Sequence, residues 1–372
     1  MEYHNSIYIL LIVMSVMFAS QASNVAIKRG KQLWTTIPFY MLLVTFAFIV
    51  GTRYMVGMDY EQYMSIVEKG DSHYYYEKLE FLNRYLIDVV NGLNLKFYWW
   101  FIFMAFVQIL FIAIAVKNNF RKVFPWIILS FFMLYISFYM NGVRQGAALS
   151  CFICATTFIK ERKLYHYLVL IFIGTLFHRS IIIWTPVYWI VNKELFQNIK
   201  IQYLLLGVSI VVFPIVFDVI VQKLLPFMSV IGYGNLTSSL KTALEDIAIG
   251  SGLGVAFRYL RWIVIIAYYN KLKAFIGKEV FIPLYNLFFI GILLDAATMQ
   301  IIVLNRMLMY GAILEIFILG SLFHYMTKTK NKLDRITIFT ILILQTILTL
   351  VLPSIIGSFK WHTIWDAPYR IF

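Results

Sequence analysis

The stretch NGVRQGAALSCFICATTFIKERKLYHYLVLIFIGTLFHRS, residues 141–180, decides the fold. Two apolar runs flank the basic turn KERK (Lys160–Lys163), and a polar cluster stands at each far end. If both runs are membrane helices of a hairpin, the two polar clusters meet on the same side of the bilayer. An arginine at bilayer depth is costly to keep, so Arg144 marks a candidate functional site.

The composition is typical of a helical membrane protein. Of the 372 residues, 61% are hydrophobic and 13% are charged, whereas soluble domains carry about 25% charged residues. Continuous apolar runs of about 17–22 residues fit the roughly 30 Å hydrocarbon core and differ from the short alternating strands of a barrel. The net charge of +14 is scattered over short loops rather than one basic face, which argues against a nucleic acid partner.

We therefore predict an all-α, polytopic membrane protein, with residues 1–372 forming a single transmembrane domain of about twelve spans. The predicted spans cover residues 6–27, 34–51, 98–116, 123–140, 144–159, 164–178, 180–191, 203–225, 258–270, 279–296, 303–323 and 336–352. Two long polar segments, 52–97 and 226–257, then lie outside the membrane. The first contains the pattern of an amphipathic helix that lies on the membrane, with Leu79, Phe81, Leu82, Leu86 and Val89 on its apolar side.

Lysine and arginine divide between the two faces of this arrangement. With the N-terminus outside, fourteen of the twenty lysines fall in inner turns, as the positive-inside rule expects. Eight of the twelve arginines fall on the outer side: Arg53, Arg84, Arg144, Arg179, Arg258, Arg261, Arg306 and Arg370. A planar guanidinium suits bidentate binding of phosphate or carboxylate. The alternative is that these arginines reach lipid headgroups or pair with acidic residues.

Carboxylates and tyrosines follow the first outer arginine closely. In GTRYMVGMDYEQY (Gly51–Tyr63), Asp59, Tyr60 and Tyr63 come soon after Arg53. Carboxylates accept sugar hydroxyls or act as a base, and tyrosine rings stack on sugars. A solvated loop is the alternative for most of these residues, and Asp59 is the strongest candidate because it lies near a span end and an arginine.

The two ends of the hairpin carry the remaining candidates of this region. Arg144 lies at a helix start, where free N–H groups and the helix dipole favour anions. His178 is suited to act as a base near neutral pH or to donate to a phosphate. The polar residues beside them are Asn141, Gln145, Arg179 and Ser180.

Further along the chain, Arg258 and Arg261 lie one turn apart, and Asn305 and Arg306 open a later span. We find no HExxH, paired DxD, P-loop or serine-nucleophile elbow, so the sequence points to no metal and no nucleotide cofactor.

Several of these motifs resemble, in order, those of the EpsG family, a branch of the Wzy-type polymerases of surface polysaccharides. The motifs are GMDYEQY, NGVRQGAA, LFHRSIIIWTPVYW, NRMLMY and WDAPYR, and the resemblance covers most of the chain. It implies a glycosyltransferase of GT-C-like helical architecture in the bacterial cytoplasmic membrane. Its substrates would be oligosaccharide repeat units on undecaprenyl diphosphate, joined on the extracytoplasmic side into O-antigen, capsule or exopolysaccharide. A chain-length regulator and a flippase are the expected partners, and no cofactor is expected.

Such a reaction needs charge neutralisation on the diphosphate and alignment of the acceptor hydroxyl. We assign Arg144 and Arg179 to the diphosphate, and Arg306, with Arg53 or Arg258, to the second carrier. His178 or Asp59 would be the base. The other expected substrate contacts are Asn141, Gln145, Tyr60, Tyr63 and Ser180. A single base without a covalent nucleophile predicts inversion at the anomeric carbon.

Other functions place arginines in a membrane cavity as well. A flippase or transporter of the same lipid-linked sugar would also show polar residues through the membrane, as alternating access requires. A glycan ligase shares the carrier and differs only in the acceptor, and a membrane acyltransferase is a further alternative.

Overall fold

A computed structural model describes residues 5–57, 59–212, 216, 252–299 and 302–351. Within these ranges the chain is helical and contains no strand, so the all-α prediction is confirmed. The chain divides into two compact units, of which unit 1 comprises Met1–Tyr188 with Ile316–Phe372 and unit 2 comprises Trp189–Glu315. The predicted outer segment 226–257, the second half of the predicted span 203–225 and the WDAPYR motif lie wholly or mostly outside the described residues.

Unit 1 begins with nine helices. They are α1 (Asn5–Lys28), α2 (Ile37–Gly51), α3 (Tyr60–Lys69), α4 (Phe81–Gly92), α5 (Tyr98–Ala115), α6 (Phe124–Leu134), α7 (Ile136–Asn141), α8 (Val143–Lys160) and α9 (Leu164–Phe177). The long helices pack as successive neighbours: α8 lies against α9 and α5, α5 against α2, and α1 against α2 and α6. The helices α3 and α4 belong to the polar segment 52–97.

The chain continues through α10 (Val187–Ile190) into unit 2. Its helices within the described residues are α11 (Ile199–Val212), α12 (Gly252–Ala267), α13 (Tyr269–Ile276), α14 (Lys278–Thr298) and α15 (Ile302–Leu308). Two more helices, α16 (Glu315–Lys328) and α17 (Lys332–Thr346), return the chain to unit 1 after Glu315.

Three helices in the described ranges are long and apolar enough to cross a membrane: Ile7–Lys28, Tyr98–Ala115 and Lys278–Thr298. Shorter apolar helices occur at Ile37–Gly51, Leu164–Phe177 and Ile199–Val212. These helices are those of a membrane protein, and each coincides with a predicted span or with its beginning.

Other predicted spans are interrupted. The predicted span 180–191 is instead a 3₁₀ helix at Arg179–Trp184, followed by the single turn of α10. Pro186 lies between them, and proline disfavours helix in the residue before it and lacks an N–H of its own. The predicted span 123–140 is broken at Tyr135, and the predicted span 303–323 is divided among α15, a 3₁₀ turn and α16.

One close contact fixes α2 against α5 just before the polar segment begins. Gly51 ends α2, and a Cβ at this position would lie 2.6 Å from the backbone nitrogen of Ile102 in α5. Only a glycine allows the two backbones to approach so closely. The start of segment 52–97 therefore has a fixed position relative to α5.

We predict that Gly51→Ala lowers the melting temperature of the detergent-solubilised protein, because overpacking of this kind costs about 1–3 kcal/mol. The matched control is Gly207→Ala in α11, where an added Cβ meets no atom within 4 Å. The control should melt at the wild-type temperature or slightly above it, since alanine favours helix over glycine. Equal melting temperatures for both variants would contradict the close contact.

Candidate functional site

The hairpin of α8 and α9 brings Arg144 and His178 to the same end of unit 1. The two helices are joined by a tight turn in which Arg162 has a φ of 56°. Glu161 stabilises this turn by pairing with Lys163 at 2.8 Å and with Lys117, from the end of α5, at 2.7 Å. Arg144 is the second residue of α8, and His178 directly follows the last residue of α9.

Residues of the polar segment surround the Arg144 guanidinium. One terminal nitrogen, Nη1, forms a short ion pair with the carboxylate of Glu80, and Nε donates to the Tyr63 hydroxyl at 3.3 Å. The guanidinium carbon also lies 5.7 Å from the centre of the Tyr63 ring. The Arg144 side chain is 22% exposed and that of Glu80 is 10% exposed. Removing one partner of a pair shielded to this degree leaves a charge without compensation, which is strongly destabilising.

Asn83 links this ion pair to the His178 end of the hairpin. Its amide nitrogen donates to the backbone carbonyl of Phe177 at 2.9 Å and lies 3.4 Å from Oε2 of Glu80. Asn83 is fully buried on the inner face of α4, and its Oδ1 has no hydrogen-bond partner among the described residues. A continuous set of polar contacts therefore runs from Arg144 through Glu80 and Asn83 to the residue before His178.

The face of α4 that packs inward carries a polar residue, and the predicted contact of its apolar side with the membrane stays a prediction. Asn83, Ile87 and Val90 are buried, whereas Phe81 and Tyr85 are 61% and 55% exposed. The polar contact of Asn83 with Phe177 sets this orientation, and hydrophobic spacing alone does not reveal it.

Asp59 is placed next to the same helix start. Its backbone N–H donates to Oδ1 of Asn141 at 3.0 Å, and the preceding Gly57, at a φ of 109°, passes close to the Met140 carbonyl. The Asp59 side chain is half-buried, and its carboxylate makes no hydrogen bond or ion pair within the described ranges. Asn141 thus holds the backbone of Asp59, and the Asp59 carboxylate can still accept a hydrogen bond or a proton.

Arg53 and Tyr60 are engaged within the protein. Arg53 is 2% exposed and donates to the carbonyls of Val50 at 2.7 Å, Met140 at 2.7 Å and Val56 at 3.3 Å. Tyr60 donates to the Arg53 carbonyl at 2.8 Å and stacks on Phe101 at 4.8 Å. In this conformation both side chains hold the segment onto α5 and α7, and substrate contact by either of them stays a prediction.

The His178 end presents a histidine, a buried serine and an exposed arginine. Nδ1 of His178 lies 2.7 Å from the Ser180 hydroxyl and accepts the Ser180 N–H at 3.4 Å. Because a backbone N–H only donates, this geometry favours the tautomer with the proton on Nε2. Arg179 is exposed and forms no ion pair with any described residue, while Gln145 is buried inside α8.

A tyrosine–aspartate contact stabilises segment 52–97. The Tyr76 hydroxyl donates to the Asp88 carboxylate in a short hydrogen bond. Burial, together with that hydrogen bond and the charge of Asp88, raises the pKa of Tyr76 to about 12. The stabilisation is fully present below the ordinary tyrosine pKa and is lost only as the pH rises through about 12, so the contact persists at physiological pH.

Unit 2 contains its own polar cluster. Asp295, which is 6% exposed, accepts from Arg258 at 3.1 Å and from Asn305 at 2.8 Å. Nearby in the chain, Arg261 forms a bidentate pair with Glu315, and the indole N–H of Trp262 donates to the same carboxylate at 3.2 Å. Arg306, next to Asn305, is half-buried.

The sequence patterns do not identify Glu80 and Asn83 as members of the site. Both lie in segment 52–97, but Glu80 is 64 residues away from Arg144 in the chain. Among the described residues, no three His, Cys, Asp or Glu side chains converge as metal ligands would.

The fold and the site together define a helical membrane protein with an arginine-centred polar site at one end of a helical hairpin. The family model of the EpsG family matches residues 36–363, so this chain belongs to the EpsG family, a family of Wzy-type polysaccharide polymerases. No curated protein and no solved structure matches the chain significantly.

We predict that Arg53→Lys destabilises the protein by about 2–4 kcal/mol, because an ammonium replaces a fork of donors and leaves buried carbonyls unpaired. The control is Arg84→Lys, whose partner Glu77 is 76% exposed, and an exposed pair of this kind contributes about 0–1 kcal/mol. Thermal unfolding and hydrogen exchange of residues 50–60 measure the difference. If both variants unfold alike, Arg53 does not hold the segment.

Proposed function

We propose that this chain is a glycosyltransferase that moves a growing glycan from undecaprenyl diphosphate to the next lipid-linked repeat unit. The reaction would take place on the extracytoplasmic face of the bacterial cytoplasmic membrane. The observation that carries this proposal is the convergence of Arg144, Tyr63 and the Asn141-held Asp59 at one end of the hairpin. Membership of a polymerase family supports it.

Arg144 would bind the diphosphate of the donor. It lies at the start of an 18-residue helix, where unpaired N–H groups and the dipole add to its own charge. Nη2 has no partner in the described ranges, so donors remain for phosphate oxygens. Arg179, exposed beside His178 at the same end of the hairpin, would supply the second cation.

The transfer itself requires one proton acceptor. The acceptor hydroxyl oxygen attacks the anomeric carbon, the bond from that carbon to the diphosphate oxygen breaks, and its electron pair leaves with the diphosphate. The hydroxyl proton passes to the base. Among the two candidates we favour Asp59, whose carboxylate has no partner in the described chain, whereas the His178 tautomer makes Nε2 a donor to phosphate.

The second lipid-linked unit would use the cluster of unit 2. Arg258 is 39% exposed at its side chain, and its pairing with buried Asp295 fixes its position. Asn305 and Arg306 add a polar amide and a second cation. Whether the pathway product is O-antigen, capsule or exopolysaccharide depends on the repeat unit supplied.

We predict that purified protein in lipid nanodiscs converts undecaprenyl-diphosphate-linked repeat units into a ladder of longer glycans. Arg144→Ala and Asp59→Asn should each lower the rate by about 100-fold or more, since each removes a charge used in the transition state. Arg84→Ala, which changes a half-buried arginine of the same segment whose partner Glu77 is exposed, is the matched control and should keep wild-type activity. Inverted anomeric configuration in the new linkage, determined by NMR, is the expected stereochemistry.

Two outcomes would overturn this assignment. Near-normal ladders from both Arg144→Ala and Asp59→Asn would discard the site. Transbilayer movement of the lipid-linked sugar without any lengthening would identify a flippase instead.

We predict that the site faces the extracytoplasmic side. In spheroplasts, a membrane-impermeant maleimide should label Ser72→Cys in the outer segment, while Lys160→Cys in the hairpin turn should react only after permeabilisation. Both native cysteines are buried, so the background should be low. The opposite labelling pattern would invert the topology and move the site to the cytoplasm.

A further inference from the structure

The carboxylate of Glu80 pairs with Arg144, which is the cation that the proposed function assigns to a diphosphate. It forms a short ion pair with Nη1 of Arg144, and both side chains are largely shielded from water. An anion that binds Arg144, even through Nη2, therefore shares the positive charge of the guanidinium with an acid from the protein itself.

Glu80 is held in place independently of Arg144. It directly precedes the first residue of α4, and Asn83, one turn later, lies 3.4 Å from its carboxylate. Asn83 is itself fixed by its hydrogen bond to the Phe177 carbonyl and is fully buried. The carboxylate consequently stays near Arg144 when the guanidinium turns towards another anion.

The chemistry of the transfer creates a need for such a competitor. In the donor, the phosphate next to the sugar is a diester with a single ionisable group. When the bond to the anomeric carbon breaks, that phosphate becomes terminal and gains a second ionisation, whose pKa is about 6. The departing carrier is thus more negative than the donor at neutral pH, and a site of uncompensated arginines would bind the product more tightly than the substrate.

We propose that Glu80 competes with the diphosphate for Arg144 and thereby promotes release of the lipid diphosphate product. This inference rests on the proposed function for its substrate, but the competition itself is a property of the ion pair. Glu80 acts through Arg144 and touches no reacting atom, so it is a positioning residue. Arg144 therefore contributes less to the affinity for the donor than it would without Glu80, and the lipid diphosphate product dissociates faster.

A purely structural role for Glu80 predicts the opposite effect on binding. If the pair only fastened segment 52–97 to α8, its removal would loosen the site and weaken the binding of any anion. Competition predicts tighter binding, because the guanidinium no longer has to leave a protein partner. The direction of the change in affinity therefore separates the two roles.

The test uses the full-length protein in nanodiscs and inorganic pyrophosphate as the probe, with calorimetry as the readout. We expect Glu80→Gln to bind pyrophosphate about tenfold more tightly than wild type, a factor equivalent to 1.4 kcal/mol. Glu80→Asp keeps the charge on a shorter side chain, so its affinity should lie between the two. The gain should vanish in the double variant Glu80→Gln with Arg144→Gln. The matched control, Glu77→Gln, removes the exposed partner of Arg84 and should bind as wild type does.

Unchanged or weaker pyrophosphate binding by both Glu80 variants would overturn the proposal, as would a gain that survives in the double variant. A second measurement follows polymerisation, in which Glu80→Gln should show a lower KM for the donor, a lower kcat and stronger inhibition by pyrophosphate. The binding measurement does not depend on polymerase activity. If wild type lengthens no glycan while Glu80→Gln still gains affinity through Arg144, the proposed function fails and the competition stands.

Discussion

The organisation of unit 1 depends on providing hydrogen-bond and ion-pair partners for one guanidinium, that of Arg144 at the start of α8. A charge in such a place is tolerated only with partners, because the surroundings solvate it poorly. Tyr63 and Glu80 are those partners, and both come from segment 52–97 rather than from a neighbouring span. Because Arg144 needs these two partners, segment 52–97 lies over the end of the hairpin.

The other attachments of that segment are directed mainly at backbone groups. Arg53 donates to the carbonyl of Met140, Asn83 to that of Phe177, and Asn141 accepts the N–H of Asp59. Backbone groups at the ends of α7 and α9 have no further helical partner, so side chains of the segment satisfy them. The segment is thus fastened near the end of α7, before Arg144, and near the end of α9, before His178. These attachments keep the backbone of Asp59 against Asn141 and the carboxylate of Glu80 against Arg144.

The sequence predicts the helical class, the hairpin and the position of Arg144 at a helix start, because apolar runs and a basic turn are local signals. It does not predict that Pro186 and Tyr135 interrupt two apolar runs, since hydropathy alone does not distinguish a long helix from two short ones. It also misses Glu80, because a pair separated by 64 residues leaves no periodic pattern. Arg53 illustrates the remaining difficulty: a buried structural arginine and a phosphate-binding arginine look identical in the sequence, and only three carbonyls at hydrogen-bond distance distinguish them.

The interruption between α7 and α8 creates the helix start at which Arg144 lies. A continuous helix through Asn141 and Arg144 would pair its own N–H groups and offer no positive end to an anion. Gln108, buried in α5, stabilises the break by donating to the carbonyls of Tyr139 at 3.2 Å and Val143 at 3.0 Å. Arg144 then falls in the first turn of a new helix, where side-chain charge and helix dipole act in the same direction. The polar residue that enables this arrangement lies in the middle of an apolar span, which explains why an otherwise hydrophobic helix retains a glutamine.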